Sequence, residues 1–168
     1  MSQRLRFEQW VPVPLARVFA FFSDPRNLPR IMPPQLGARL VRVERVPPPG
    51  SAPEGGEAGA GTVIVVSVKL LPPLPVRTEW VARIVEYERG RHFADVQDRG
   101  PFRRWEHRHE FEARFQDGRD GTVVRDVLEY EVGLGVLGKV AEKLLVGRQM
   151  TRTFEHRQRT LEALLASP

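Results

Sequence analysis

The 168-residue chain contains no cysteine, which excludes disulfides and thiolate metal sites and makes a reducing cytoplasm the simplest expectation. Lysine is nearly absent too: of 26 basic residues only Lys69, Lys139 and Lys143 are lysines. The arginines that make up the rest are interleaved with acids, as in RTEWVARIVEYER and RRWEHRHEFEAR. The net charge of +5 therefore reads as a salt-bridged surface, with no acid-free basic stripe to take a nucleic acid. The longest apolar run, TVIVVSV, falls far short of the ~20 residues that span a bilayer. MSQRLRFEQW enters charged alternation at once and has no apolar leader core, so no stable membrane insertion is expected. No Gly-x-Ser-x-Gly is present to carry a nucleophilic serine. The glycines of residues 46–61 lack the Gly-Lys-Ser/Thr and following helix of a phosphate loop.

A composition of 41% hydrophobic and 28% charged residues fits a globular chain, and residues 1–168 are expected to form one domain. Residues 4–12 alternate, with Leu5, Phe7, Gln9 and Val11 on one face of a strand. Pro14 suits a first helical turn, and Val18, Phe21 and Phe22 form the apolar stripe of a short helix. Asp24-Pro25 reads as the cap and first residue of a second helix, which Pro33-Pro34 ends. Residues 36–46 alternate again, with Val41 and Val43 opposite Arg42 and Glu44. The Pro/Gly-rich segment 47–61 can bury nothing by composition and is expected to be a mobile surface loop, or more sharply a pocket lid.

Five strand-like runs follow, 62–70, 76–87, 91–98, 102–115 and 121–132, separated by hairpin turn chemistry such as QDGRDG. The chain closes on a long amphipathic helix carrying Leu137, Val140, Ala141, Leu144, Thr151, Phe154, Leu161, Leu164 and Leu165, with a bend or wet patch near Gly147 and Arg148. An antiparallel meander needs a cover for its apolar face, and only this helix is long enough to supply it. An α+β architecture with a curved sheet gripping a helix is predicted, with a cavity between them.

Strand parity then sorts the chemistry. In PFRRWEHRHEFEARF the even positions form a charge ladder that belongs in water. The odd positions, including Arg103, Trp105, His107, His109, Phe111, Ala113 and Phe115, therefore face the helix. Likewise Val124, Asp126, Leu128, Tyr130 and Val132 point inward, as do Phe93, Asp95 and Gln97, and Val76, Thr78, Trp80, Ala82 and Ile84. A closed core would not choose Asp95, Gln97, Arg103, His107, His109, Asp126 and Tyr130 unless they were paired with one another, with water or with a ligand.

The stretches VFAFFSDPRNLPRIMPP (18–34), FADVQDRGPFRRWEHRHEF (93–111), DGTVVRDVLEYEVGLG (120–135) and FEHRQRTLEALL (154–165) resemble the helix-grip superfamily. That superfamily includes START lipid-transfer domains, the birch-pollen allergen family (Bet v 1-like, SRPBCC) and polyketide cyclases, and the chain is most similar to its cyclase/dehydrase-like ligand-binding branch. The resemblance implies a seven-stranded antiparallel sheet around a C-terminal helix and a hydrophobic tunnel for lipids, polyketides, sterols or quinones.

His-x-His on one strand face is a two-ligand metal geometry to which Asp95 or Asp126 could add a third donor. With only four histidines in the chain, His92 facing outward and His156 on the helix, a polar network or ligand-anchoring role is favoured; no metal and no cofactor is assigned. The expected site comprises Trp80, Phe93, Asp95, Gln97, Arg103, Trp105, His107, His109, Phe111, Asp126, Tyr130 and Phe154, its aromatics serving either as stacking platforms or as plain core. The expected partner is a small hydrophobic molecule. The alternative is a cyclase or dehydratase using His107 or His109 for proton transfer. A weaker third class is a module presenting ligands to a membrane or partner enzyme. LLPPLP (70–75) could form a pocket lip or a homodimer contact.

Overall fold

Alternate residues are buried along much of the long central strands Arg104–Gln116 and Arg119–Glu131, and this period-two pattern belongs to one antiparallel sheet. The computed structural model describes residues 2–52, 54–69, 75–133 and 146–166. The seven strands are β1 (Gln3–Val11), β2 (Arg39–Glu44), β3 (Val63–Lys69), β4 (Arg77–Glu88), β5 (His92–Arg99), β6 (Arg104–Gln116) and β7 (Arg119–Glu131), in the spatial order β1-β7-β6-β5-β4-β3-β2. Between β1 and β2 lie α1 (Leu15–Ser23) and α2 (Leu28–Ile31), the latter preceded by a 3-10 turn that Asp24 caps by accepting from the Arg26 amide at 3.0 Å. The long C-terminal helix α3 (Gly147–Ala166) lies on the inner face, which gives the helix-grip architecture. The LLPPLP lip and the Leu137–Leu144 part of the expected helical stripe lie outside the described residues. Among the described residues no helix is long and apolar enough to cross a membrane.

Turn chemistry sets the register that positions the site. Asp117 and Gly118 both adopt positive φ, 52° and 75°, as a two-residue hairpin turn of the strand-compatible twist requires. Gln116 then pairs with Arg119, and counting back along β6 and β7 brings His109 opposite Asp126. The Gly90 turn does the same between β4 and β5, while the β5–β6 pairing sets Asp95 opposite His107 and Phe93 opposite His109.

Two apolar lobes line the inner face. One joins Val11, Val18, Phe19, Phe93, Phe111, Leu161 and Leu165; the other joins Trp105, Leu128, Tyr130 and Phe154, with Phe7, Trp80 and Phe102 packed against them. Phe154 is nearly fully buried and stacks on Phe7 at 4.5 Å, a burial worth about 1.5–3 kcal/mol. Gln158 ties α3 to the edge of the sheet, its carbonyl accepting from Gln9 and its amide donating to the Glu8 carbonyl.

Several expectations are corrected. Segment 47–61 is not an unanchored loop. Ala58 is 1% exposed and its amide donates to the Ser23 carbonyl at 2.8 Å, while the Gly59 and Gly61 amides donate to Val46 and Ile84. Arg89 and Tyr87 both bond Glu57 from the β4 side. Small residues let this backbone lie close against α1, which composition alone cannot distinguish from slack. Val41 is 54% exposed because a bulge between Leu40 and Arg42 shifts parity, leaving Leu40 and Val43 as the more covered residues. Val76 precedes β4 and Phe115 projects near the β6–β7 turn, so both are exposed, and Ala113 is exposed as well. A bulge between Ile84 and Glu86 keeps Tyr87 on the face of Ile84, against Phe19.

Candidate functional site

At the junction of the two lobes, strands β5, β6 and β7 contribute four titratable side chains to one patch of the inner face. His107 and His109 are 4% and 5% exposed, and their rings lie 3.8 Å apart. Asp126 stands on one side, with Oδ1 2.8 Å from both His107 Nε2 and His109 Nδ1. The first contact is a hydrogen bond; the second approaches outside hydrogen-bond geometry, so His109 Nδ1 has no hydrogen-bond partner among the described residues. Asp95 stands on the other side and faces the opposite ring nitrogens, at 3.9 Å from His107 Nδ1 and 3.7 Å from His109 Nε2. Each imidazole therefore bridges two carboxylates. The walls are aromatic: Phe93 lies 4.4 Å from the His109 ring, Phe22 5.7 Å from it, and Phe154 5.4 Å from the His107 ring.

Burial and proximity drive the two rings apart in basicity. Loss of hydration, with the neighbouring His109 charge, pulls His107 down to about 4 against the opposing pull of Asp126 and Asp95. Burial acts on His109 in the same direction, but the carboxylates of Asp126 and Asp95 outweigh it and leave its pKa raised. Burial also works against the Asp126 carboxylate, yet Arg157 and the two imidazoles hold it well below the usual carboxylate range. Near neutrality His107 is neutral and Asp126 ionised. The His107 proton sits on Nε2 and is donated to Asp126, so the Nδ1 lone pair faces Asp95.

Register explains which expected residues meet. Asp95, His107, His109 and Asp126 converge, with Phe93, Trp105 and Phe154 beside them. Trp80, Trp105 and Tyr130 form an aromatic cluster with Phe102, Trp80 meeting Trp105 edge-on at 4.7 Å, while Phe111 packs against Phe19 and Phe22. Two expected residues take other positions. Arg103 is largely exposed and pairs with Glu131 at 3.6 Å. Residues 100–103 form a bend, so alternation starts only at Arg104, and Phe102 takes the inner place assigned to Arg103. Gln97 holds that bend, donating to the Phe102 carbonyl at 2.7 Å, instead of joining the imidazoles.

Sequence reading missed Arg157. It is 8% exposed, lies over the Phe154 ring at 4.7 Å and acts electrostatically on Asp126. Its signal was an arginine between Phe154 and Leu161 at helical spacing, inside the apolar stripe. Trp105 Nε1 and Thr153 Oγ1 are buried without a hydrogen-bond partner among the described residues.

The cavity expected between sheet and helix is small where the described residues border it. The hollow that reaches Asp126, between Gln9, Phe22, Arg157 and Leu161, measures about 10 Å³, room for one water at most. A larger groove of about 540 Å³ lies elsewhere, along α1 and segment 47–61, lined by Leu15, Phe19, Asp24, Glu57 and Arg89.

Many solved structures share this fold. TTHA0849 from Thermus thermophilus is 21% identical with a TM-score of 0.63, covering 99% of this chain and 100% of that one. A START superfamily protein from Mycobacterium smegmatis is 16% identical with a TM-score of 0.66, covering 97% of each chain. Norcoclaurine synthase from Thalictrum flavum is 14% identical with a TM-score of 0.63, covering 100% of this chain and 88% of that one. At such identities the likeness establishes the fold. No curated protein matches the sequence. The family described as polyketide cyclase/dehydrase and lipid transport, a description that covers proteins handling hydrophobic small molecules, matches residues 11–159, and the chain belongs to it.

Proposed function

We propose that the chain binds a small hydrophobic molecule, of lipid, polyketide, sterol or quinone type, between the inner sheet face and α3. The quartet of Asp95, His107, His109 and Asp126 receives its oxygenated end. The observation that carries this reading is the quartet's setting: four titratable groups inside an aromatic wall, beside Trp105 Nε1, which has no hydrogen-bond partner among the described residues. Leaving a buried polar group unpaired costs about 1–3 kcal/mol, which a ligand oxygen would recover. A ligand approaching Asp126 through the small hollow has to displace side chains there, and half-buried Phe22 and Gln158 border it. The site would act in a single cytoplasmic domain.

Mass spectrometry of protein purified without detergent tests the proposal. An apolar compound should co-purify at near-stoichiometric amount, and His107→Gln with His109→Gln should weaken its retention. Protein that folds normally yet carries and takes up no apolar compound would refute it.

A second reading, a cyclase or dehydratase, draws on the 2.8 Å His107–Asp126 hydrogen bond, since a carboxylate that orients an imidazole is the arrangement proton transfer needs. The norcoclaurine synthase relative is named as an enzyme on this fold. Under that reading the same His107 and His109 substitutions abolish turnover of a polyketide substrate while leaving its binding measurable.

A further inference from the structure

The two carboxylates of the quartet sit at unequal distances from the rings, and the inequality is informative. Asp126 is at 2.8 Å from one nitrogen of each imidazole. Asp95 is at 3.7 and 3.9 Å from the other nitrogen of each, too far for hydrogen bonds. The gap leaves room for a bridging atom between the two buried rings and Asp95, whose side chain is 17% exposed. Donor atoms around a tetrahedral ion with bonds of 2.0–2.1 Å stand about 3.3–3.4 Å apart. The Asp95 spacings exceed that by only a few tenths of an ångström, and one donor atom from each of Asp95, His107 and His109 lies within 4.8 Å of the other two.

Contrary to the sequence expectation, we infer that Asp95, His107 and His109 form a binding site for a first-row divalent metal ion such as Zn²⁺. His107 contributes Nδ1, His109 contributes Nε2 and Asp95 a carboxylate oxygen. Asp126 is the outer partner: it is hydrogen-bonded to His107 Nε2 and stands 2.8 Å from His109 Nδ1, so the inner nitrogen of each ring faces Asp95, as carboxylates behind metal-bound histidines arrange. Two imidazoles and one carboxylate suit zinc and its neighbours rather than calcium or magnesium. Three protein donors leave a further position for water or a ligand oxygen. The inference stands apart from the identity of any apolar ligand, because metal content and ligand content are read separately.

Chelator-stripped protein titrated with Co²⁺ and Zn²⁺ tests it. One equivalent should bind, the cobalt form should show visible absorption of a low-coordinate nitrogen/oxygen site, and zinc-edge X-ray absorption should show imidazole scattering. Asp95→Asn, which breaks no hydrogen bond to either ring, should abolish binding with an unchanged urea midpoint. Asp126→Asn should weaken binding about 10–100-fold. His92→Gln, on the outer face near Glu86 and Glu88, should leave binding unchanged. No saturable binding to folded parent protein, or binding that survives Asp95→Asn but not His92→Gln, overturns the inference.

Discussion

Strand β6 carries ion pairs on both faces. On the outer face Arg104 meets Glu106, Arg108 meets Glu86 and Glu110, and Arg114 meets Glu112, all with substantial exposure. On the inner face His107, His109 and Asp126 are nearly fully buried and Asp95 is 17% exposed beside them. The chemistry is similar and the energetics are not. Water screens the outer pairs and replaces any that is lost, so each is worth about 0–1 kcal/mol. An inner group that loses its partner has nothing to replace it.

Removing the central acid tests that contrast most severely. Asp126→Ala strands two imidazoles and Arg157 without their shared carboxylate and should cost about 3–5 kcal/mol in urea unfolding. A loss no larger than that of an outer acid would erase the distinction. The next effect is pH-dependent and is read in chelated protein. His107 is held at about 4 in the fold against an ordinary 6.5, so its contribution is fully present above pH 6.5 and is lost as pH falls toward 4. The groups facing it are Asp126, Asp95 and His109. His107→Gln should flatten the stability profile across that window. His109 has the opposite sign: its raised pKa gives stability present below 6.5 and lost as pH rises through the folded value. Identical profiles for parent and variant would show that the ring is not desolvated as described.

Gly118→Val probes the turn that sets the register. At φ 75° with open space around it, the cost is backbone strain alone, about 1–2 kcal/mol, and the quartet should keep its properties. The smallest effect belongs to Arg83 and Asp98, bonded through two 2.9 Å contacts on the outer face. A double-mutant cycle there should give a coupling under about 1 kcal/mol that shrinks in salt.

Strand parity made the inner residues of β5, β6 and β7 legible, because a two-residue period leaves little freedom once one face is charged. Asp95, His107, His109 and Asp126 all follow from it. Parity failed where strands are irregular: the 100–103 bend exchanged Arg103 for Phe102, and the Leu40/Arg42 bulge turned Val41 outward. Arg157 escaped notice because arginine is read as solvent-seeking, although its long stem can lie along an aromatic ring. The unequal spacing of the two carboxylates depends on side-chain rotamers, which no sequence pattern encodes.

The packing of segment 47–61 bears on how the protein can be engineered. A Cβ added at Gly56 would fall 2.1 Å from Asp24 Oδ2, and one at Gly59 would fall 3.1 Å from Pro48 atoms, whereas Gly90 and Gly118 have nothing within 4 Å. Epitope tags, fluorophores or new chain ends chosen by glycine content would go into the first segment and pry it from α1. The tight hairpin tips at Gly90 and Gly118 are the safer places to graft them.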